Sequence, residues 1–328
     1  MTKRSLIIVL GLAFGALSAD LKAQDAHFSQ YFASPLYTNP ALTGQINGNF
    51  RLNALQRSQW QTYDNAAYTT SSFSADARLN NFGLGLNAVN EVSGTNNYNR
   101  LSVNVGGAYD LSFKSNSNQH LVFGVQAGIY NLSTNNKNIT VPDQYEPGFG
   151  ATNPVNEDLS NLSVLSPDVN FGVLWFNGSV KRRWAPFAGA SVFHLLQPYD
   201  SFSKDKRVDM RYLVHGGVRF RTNSAIEFVP NIMASVQGTA YNGIVGVNAS
   251  YSLIDTYTSI QAGIGYRLDD AIVPYFGLGY KDFAFGVTYD ANISSLSDVG
   301  NNKNALEFSL TYINRSNQVK KQFICPRL

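Results

Sequence analysis

The sequence predicts an all-β fold: a 14-stranded antiparallel transmembrane β-barrel with an N-terminal arm or plug. Three observations carry the prediction. Segments of about ten residues alternate apolar and polar side chains, the two-residue period of a strand with one apolar face. Charge is scarce, at 14% of 328 residues, while aromatic residues reach 13%; an ordinary soluble domain carries about 25% charged residues. The charges that do occur mid-strand fall on the polar faces. Disorder is excluded by the aromatic content. A helical bundle is excluded because no run of about 20 apolar residues follows the first 20 positions. A net charge of +3 with no basic stripe argues against a nucleic-acid partner.

The elements follow in chain order. Lys3 and Arg4 precede an apolar stretch from Leu6 to Ala19, which is the pattern of an export signal cut near Ala23. Residues 24–47 are too aromatic for a linker, and Pro35 and Pro40 stop any long helix. They are expected to enter the lumen from the periplasmic end as a plug, with Phe28, Tyr31, Phe32 and Tyr37 packing there, or to lie as an arm on the barrel rim. Strands are expected near 48–60, 68–79, 82–93, 98–113, 120–134, 167–178, 182–198, 207–221, 225–237, 241–253, 256–268, 271–280, 283–297 and 304–314. Residues 315–328 form a basic tail on the periplasmic side. It either binds an acidic partner or is merely solvated.

Turn lengths and register agree with this order, apart from short links near 238–240 and 269–270 where longer loops are expected. If the first strand leaves the periplasm, every second link is a short turn and the others are longer surface loops. Asn80-Asn81 and Lys281-Asp282 are such turns, while 135–166 is the longest loop and falls on the outer side. A two-residue turn at Asn80-Asn81 pairs Leu79 with Phe82 and Ala77 with Leu84, like face on like face. Lys281-Asp282 likewise pairs Tyr280 with Phe283 and Leu278 with Phe285.

A soluble sandwich also alternates, so the composition of the polar face decides between the two. That face is mostly Ser, Asn, Thr, Gly and Gln, with isolated charges at Arg51, Arg57, Asp76, Arg78, Asp110, Asp168, Arg211, Arg219, Arg221, Glu227, Arg267, Asp290 and Glu307. It suits an enclosed lumen better than a solvated surface. Arg or Lys on a lipid face costs about 2–4 kcal/mol at the midplane, which explains the one-sided placement. Arg219 and Glu227 are expected to sit opposite one another across a Thr222-Asn223-Ser224 turn and to lock the register. Arg211, His215 and Arg219 share one face, either as an anion-attracting ladder or as charge balance for Asp110, Asp168 and Glu307.

No catalytic motif is present, so the chain reads as a non-enzyme with no cofactor. The histidines His27, His120, His194 and His215 form no H-E-x-x-H, and a single cysteine, Cys325, excludes the usual zinc frames and any internal disulfide. Gly189 to Phe193 fails the G-x-S-x-G pattern at its last position. The Gly83/Gly85, Gly263/Gly265 and Gly277/Gly279 pairs read as strand packing.

The stretch QDAHFSQYFASPLYTNPALTG, beginning at Gln24, resembles the N-terminal signature of the PorP/SprF proteins, outer-membrane barrels of the type IX secretion system. Arg57-Ser58-Gln59-Trp60, His194-Leu195-Leu196-Gln197-Pro198, Tyr266 to Ala271, Phe285 to Ser294, Ala305 to Tyr312 and Cys325-Pro326-Arg327 extend the likeness. The resemblance implies a partner-binding role in the outer membrane: docking secreted proteins through a type IX C-terminal domain, contacts with periplasmic or outer-membrane secretion components, and a link to gliding. The expected partner-binding or plug residues are His27, Phe28, Tyr31, Phe32, Tyr37, Pro40, Arg57, Cys325 and Arg327. A diffusion or lipophilic-solute channel is the alternative.

Overall fold

The computed structural model describes residues 24–59, 68–94, 98–112, 118–134, 145–146, 150–151, 162–179, 182–222, 225–253, 256–294 and 304–315. Fourteen antiparallel strands close into one barrel. They are β1 Phe50–Gln59, β2 Tyr68–Leu79, β3 Phe82–Ser93, β4 Tyr98–Ser112, β5 Gln119–Ser133, β6 Ser163–Asn177 and β7 Trp184–Phe193. The second half is β8 Arg211–Arg221, β9 Ile226–Gln237, β10 Ala240–Leu253, β11 Thr258–Arg267, β12 Ala271–Tyr280, β13 Phe283–Asn292 and β14 Ala305–Asn314. Each strand pairs with its sequence neighbours, and β1 closes on β14 from Phe50↔Asn314 to Gln59↔Ala305. Closure satisfies every edge, the condition for a sheet in hydrocarbon.

The links fall into two sets at opposite ends. Among the described residues, short turns occupy 80–81 and 281–282 at one end, the short-turn end, and the other, long-loop end carries 194–210, 238–239 and 268–270. Leu79↔Phe82, Ala77↔Leu84, Tyr280↔Phe283 and Leu278↔Phe285 pair in the expected register. Asn80 and Lys281 each open their two-residue turn at positive φ, 57° and 52°. Asn tolerates that region better than most residues.

Alternation sorts the two faces as expected. Val105, Phe123, Val125, Ile264, Phe276 and Phe308 point outward and are exposed, whereas Asn104, Asp110, Gln126, Asp168, Arg267 and Glu307 are buried within. Lumenal apolar residues, such as Val122, Leu174 and Phe176, form the core against Ala41 and Leu42 of the N-terminal segment.

Three expectations need correction. The strand expected at 182–198 ends at Phe193, because the chain turns at His194, whose φ is 60°. Residues 207–210 and 293–294 lie outside strands β8 and β13, and 295–297 lie outside the described residues. The β8–β9 register pairs Glu227 with Arg221, not with Arg219. The tip closes at Thr222, whose N–H donates to the Ile226 carbonyl, so Arg219 reaches Glu227 only diagonally, at 3.5 Å.

Candidate functional site

Residues 24–46 run down the inside of the barrel. Three short pieces shape the path: a 3-10 turn at Tyr31–Ala33, α1 at Pro35–Thr38, and a second 3-10 turn at Pro40–Leu42. Pro35 and Pro40 each occupy a first helical position, where a missing N–H costs nothing. The Asn39 side chain accepts from the Ala41 N–H at 2.9 Å and starts the second turn. Short helical turns satisfy the backbone locally, which a buried strand without a partner strand cannot do.

The segment is held at four levels. At the long-loop end, the Asp25 carboxylate bonds His194 Nε2 at 2.9 Å and lies 3.4 Å from Arg211 Nε, while His194 Nδ1 meets Asp168 at 2.8 Å. Burial opposes charge on His194, but the neighbouring Asp25 charge and the hydrogen bonds the imidazole donates to Asp168 and Asp25 outweigh burial and hold its pKa at about 9. Burial likewise opposes the Asp25 carboxylate, yet the His194 and Arg211 charges hold it well below the usual carboxylate range. His27 is pushed the other way, well below an ordinary imidazole, by burial and then by Arg267 and Arg57.

One level lower, the Ser29 and Gln30 N–H groups donate to the two oxygens of Glu307 at 2.7 and 2.8 Å. The same Glu307 pairs with Arg57, which also bonds Asp290 at 2.8 Å; Arg267 bonds Asp290 at 3.0 Å and the Ser29 hydroxyl. Two cations thus face two anions, all buried. Such a group is strongly destabilised by losing one member, by about 3–5 kcal/mol, because a buried charge is then unpaired.

At mid-height, Asn39 donates to the Val173 carbonyl at 3.0 Å and sits 3.1 Å from His215 Nε2. Gly124 on β5 and Gly172 on β6 face one another across the ladder. A Cβ on Gly124 would overlap the Pro40–Ala41 backbone, and one on Gly172 would overlap Asn39. The absent side chains are the space the segment occupies. Near the short-turn end, the Gly44 N–H donates to Asp76 at 2.7 Å, and Arg51 bonds both Asp76 oxygens at 2.9 Å.

Of the expected residues, Phe28 packs edge-on against Tyr37 at 5.6 Å, and Tyr31 against Phe32 at 5.9 Å. The Tyr31 hydroxyl donates to Asn231 at 2.6 Å. Pro40 lies at mid-height, Arg57 at the Ser29 level, and His27 is half-buried between the upper levels. Cys325, Arg327, Trp60 and the leader lie outside the described residues. Sequence reasoning missed Asp25, Ser29, Gln30 and Asn39. The charges are shared out more locally than the Arg211–His215–Arg219 ladder implies: Asp110 pairs with Arg78 and His120, Asp168 with His194 and Glu307 with Arg57, while Arg211 pairs with Asp25 and also feels the Asp168 charge. One signal was available. Arg57, His194, Arg267, Asp290 and Glu307 all stand in the quoted motifs, and the fold brings them to the N-terminal segment.

A closed sheet with an apolar outer wall and a polar, occupied lumen is a membrane β-barrel of the outer-membrane type. In fold it is similar to the toluene transporter TbuX of Ralstonia pickettii, at 9% identity and TM-score 0.51, covering 85% of this chain and 91% of that one. The monoaromatic hydrocarbon channel CymD is similar at 11% identity and TM-score 0.50, covering 87% and 94%. The chain belongs to the PorP/SprF family: it matches the type IX secretion system membrane protein PorP/SprF over residues 20–312. No curated protein matches it.

Proposed function

We propose that the protein is a non-enzymatic docking barrel of the type IX secretion system. It holds secreted surface proteins, adhesins among them, through their C-terminal domains, and contacts periplasmic secretion components. The reading places the short-turn end in the periplasm and the long-loop end at the cell surface, after removal of the leader near Ala23. The observation that carries it is the lumen itself. Residues 24–46 cross it from one mouth to the other and are tied by buried charges at Asp25, Glu307 and Asp76. A wall that spends its inward charges on holding its own chain favours a platform over an open conduit.

The test is co-purification from outer membranes, together with the surface proteome and gliding of a deletion strain. Loss of a large surface protein, and its recovery with the purified barrel, is the expected result. Unchanged secretion and gliding with no bound protein would sink the reading. A solute channel is the second reading, favoured by the space left beside the segment. It predicts a large steady conductance from the intact protein in planar bilayers, where the docking reading predicts silence until residues 24–47 are removed.

A further inference from the structure

The N-terminal segment packs against one side of the barrel and leaves the other side open. Between it and strands β9–β14 lies a cavity of about 410 Å3. It runs from Lys281 and Arg315 at the short-turn mouth up to Phe32 and Tyr275, whose rings meet edge-on at 5.0 Å. This volume falls within the roughly 300–1,000 Å3 of ordinary ligand sites.

The chemistry of the wall is specific. Asn248, Ser250 and Ser252 line it from β10 and Ser259 from β11, and none of these side chains makes a hydrogen bond within the described residues. Gln45, only 4% exposed, lines the cavity from the N-terminal segment. Away from Lys281 and Arg315 at the mouth, charge in the wall is paired: Arg51 with Asp76, and Glu227 with Arg219 and Arg221. An ionic ligand therefore gains nothing inside. A hydrocarbon would leave the hydroxyl and amide groups unpaired.

The spacing favours one ligand class. Asn248, Ser250 and Ser252 occupy every second position of one strand, so their side chains recur about every 6.6–6.8 Å. An extended polypeptide beside that strand repeats its own N–H and C=O groups at the same interval. Hydroxyl and amide side chains both donate and accept, so they serve either group. From Gly279 to Tyr275 the wall accommodates about five residues of extended chain at ~3.3 Å each. The Phe32–Tyr275 ring pair closes the inner end and suits an apolar side chain.

We propose that this cavity binds an extended, uncharged segment of another polypeptide, entering through the short-turn mouth. The proposal rests on the docking reading and assigns one of its contacts to the periplasmic side. The test uses the full chain purified in detergent. The probes are an immobilised library of decapeptides built only from Gly, Ser, Thr, Asn and Gln, and a matched library built from Gly, Lys and Glu. The neutral library is expected to capture at least tenfold more barrel than the charged one, with no competition from millimolar maltoheptaose. The double variant Ser250→Trp, Ser309→Trp fills the space and is expected to lose at least tenfold in capture. Gln261→Glu, which keeps the size and the acceptor for Tyr275, is expected to lose it by adding charge alone. Equal capture by both libraries, capture that survives in both variants, or displacement by maltoheptaose would overturn the assignment. Native co-purification with the same variants separates the two ideas: a secretion partner that still binds them leaves the docking reading standing and removes only the cavity from it.

Discussion

At the residue scale, the upper end of the lumenal segment is an electrostatic latch whose pH window follows from two shifts. His194 is held at about 9 in the folded protein against 6.5 for a free imidazole. Its contribution is therefore complete below about pH 6.5 and is lost as pH rises through 9. Asp25 is held well below the 3.8 of a free carboxylate, so its contribution is present above that value and lost as pH falls through the lowered one. Between about pH 4 and 6.5 both are intact. Raising pH from 7 to 10 is expected to free residues 24–28 while 39–44 stay protected, a contrast that hydrogen exchange resolves. Uniform protection at pH 10 would show that Asp25 and His194 do not hold this end. Asp25→Asn is expected to return the His194 pKa toward its ordinary value, measurable by NMR titration.

At the scale of elements, the shape of the wall and the path of the segment are mutually dependent. Strand glycines usually weaken a sheet, since they cost entropy and bury no side chain. Gly124 and Gly172 sit where backbone approaches backbone, so their lack of a Cβ makes room for Asn39 and Pro40. Gly124→Val is expected to leave the barrel closed but expel the middle of the segment. The readouts are new protease cuts within 24–47 and the appearance of conductance in planar bilayers. Gly107→Ala is the control, since its added methyl comes no nearer than 3.3 Å to any neighbour. A silent, uncut Gly124→Val barrel would mean that the segment accommodates the methyl groups by shifting.

At the scale of the whole molecule, two solvents are separated by one sheet. The outer wall is apolar because lipid cannot satisfy charge, and the inner wall is polar because it binds a segment rich in backbone donors and acceptors. Val105 lies mid-strand on β4 and is 61% exposed on the outer face. Val105→Arg is expected to cost about 2–4 kcal/mol of folding stability in vesicles, read by denaturant titration of the folded fraction. A change near zero would place that face away from hydrocarbon. Held in this way, the lumen presents one polar cavity at the short-turn mouth and a charged latch at the other, so the two ends of the molecule are chemically unlike.

Much of this was legible in the sequence, for a definite reason. A strand exposes its period directly in the order of residues, so strands β2, β3 and β12, the two-residue hairpins and the sorting of lipid from lumen could be read without coordinates. Hairpin pairing is local, and lipid tolerates no charge; together these specify the number of strands and the closed sheet. Partners inside the lumen are not local. Ser29 meets Glu307 from 278 residues away, and Asp25 meets His194 from 169. Nothing in the linear order distinguishes Asp168 as the partner of His194 rather than of the Arg211 ladder, because inward charges at similar height are interchangeable by pattern. Only closure of the barrel around the segment decided which carboxylate faces which cation, and how much of the lumen remains open.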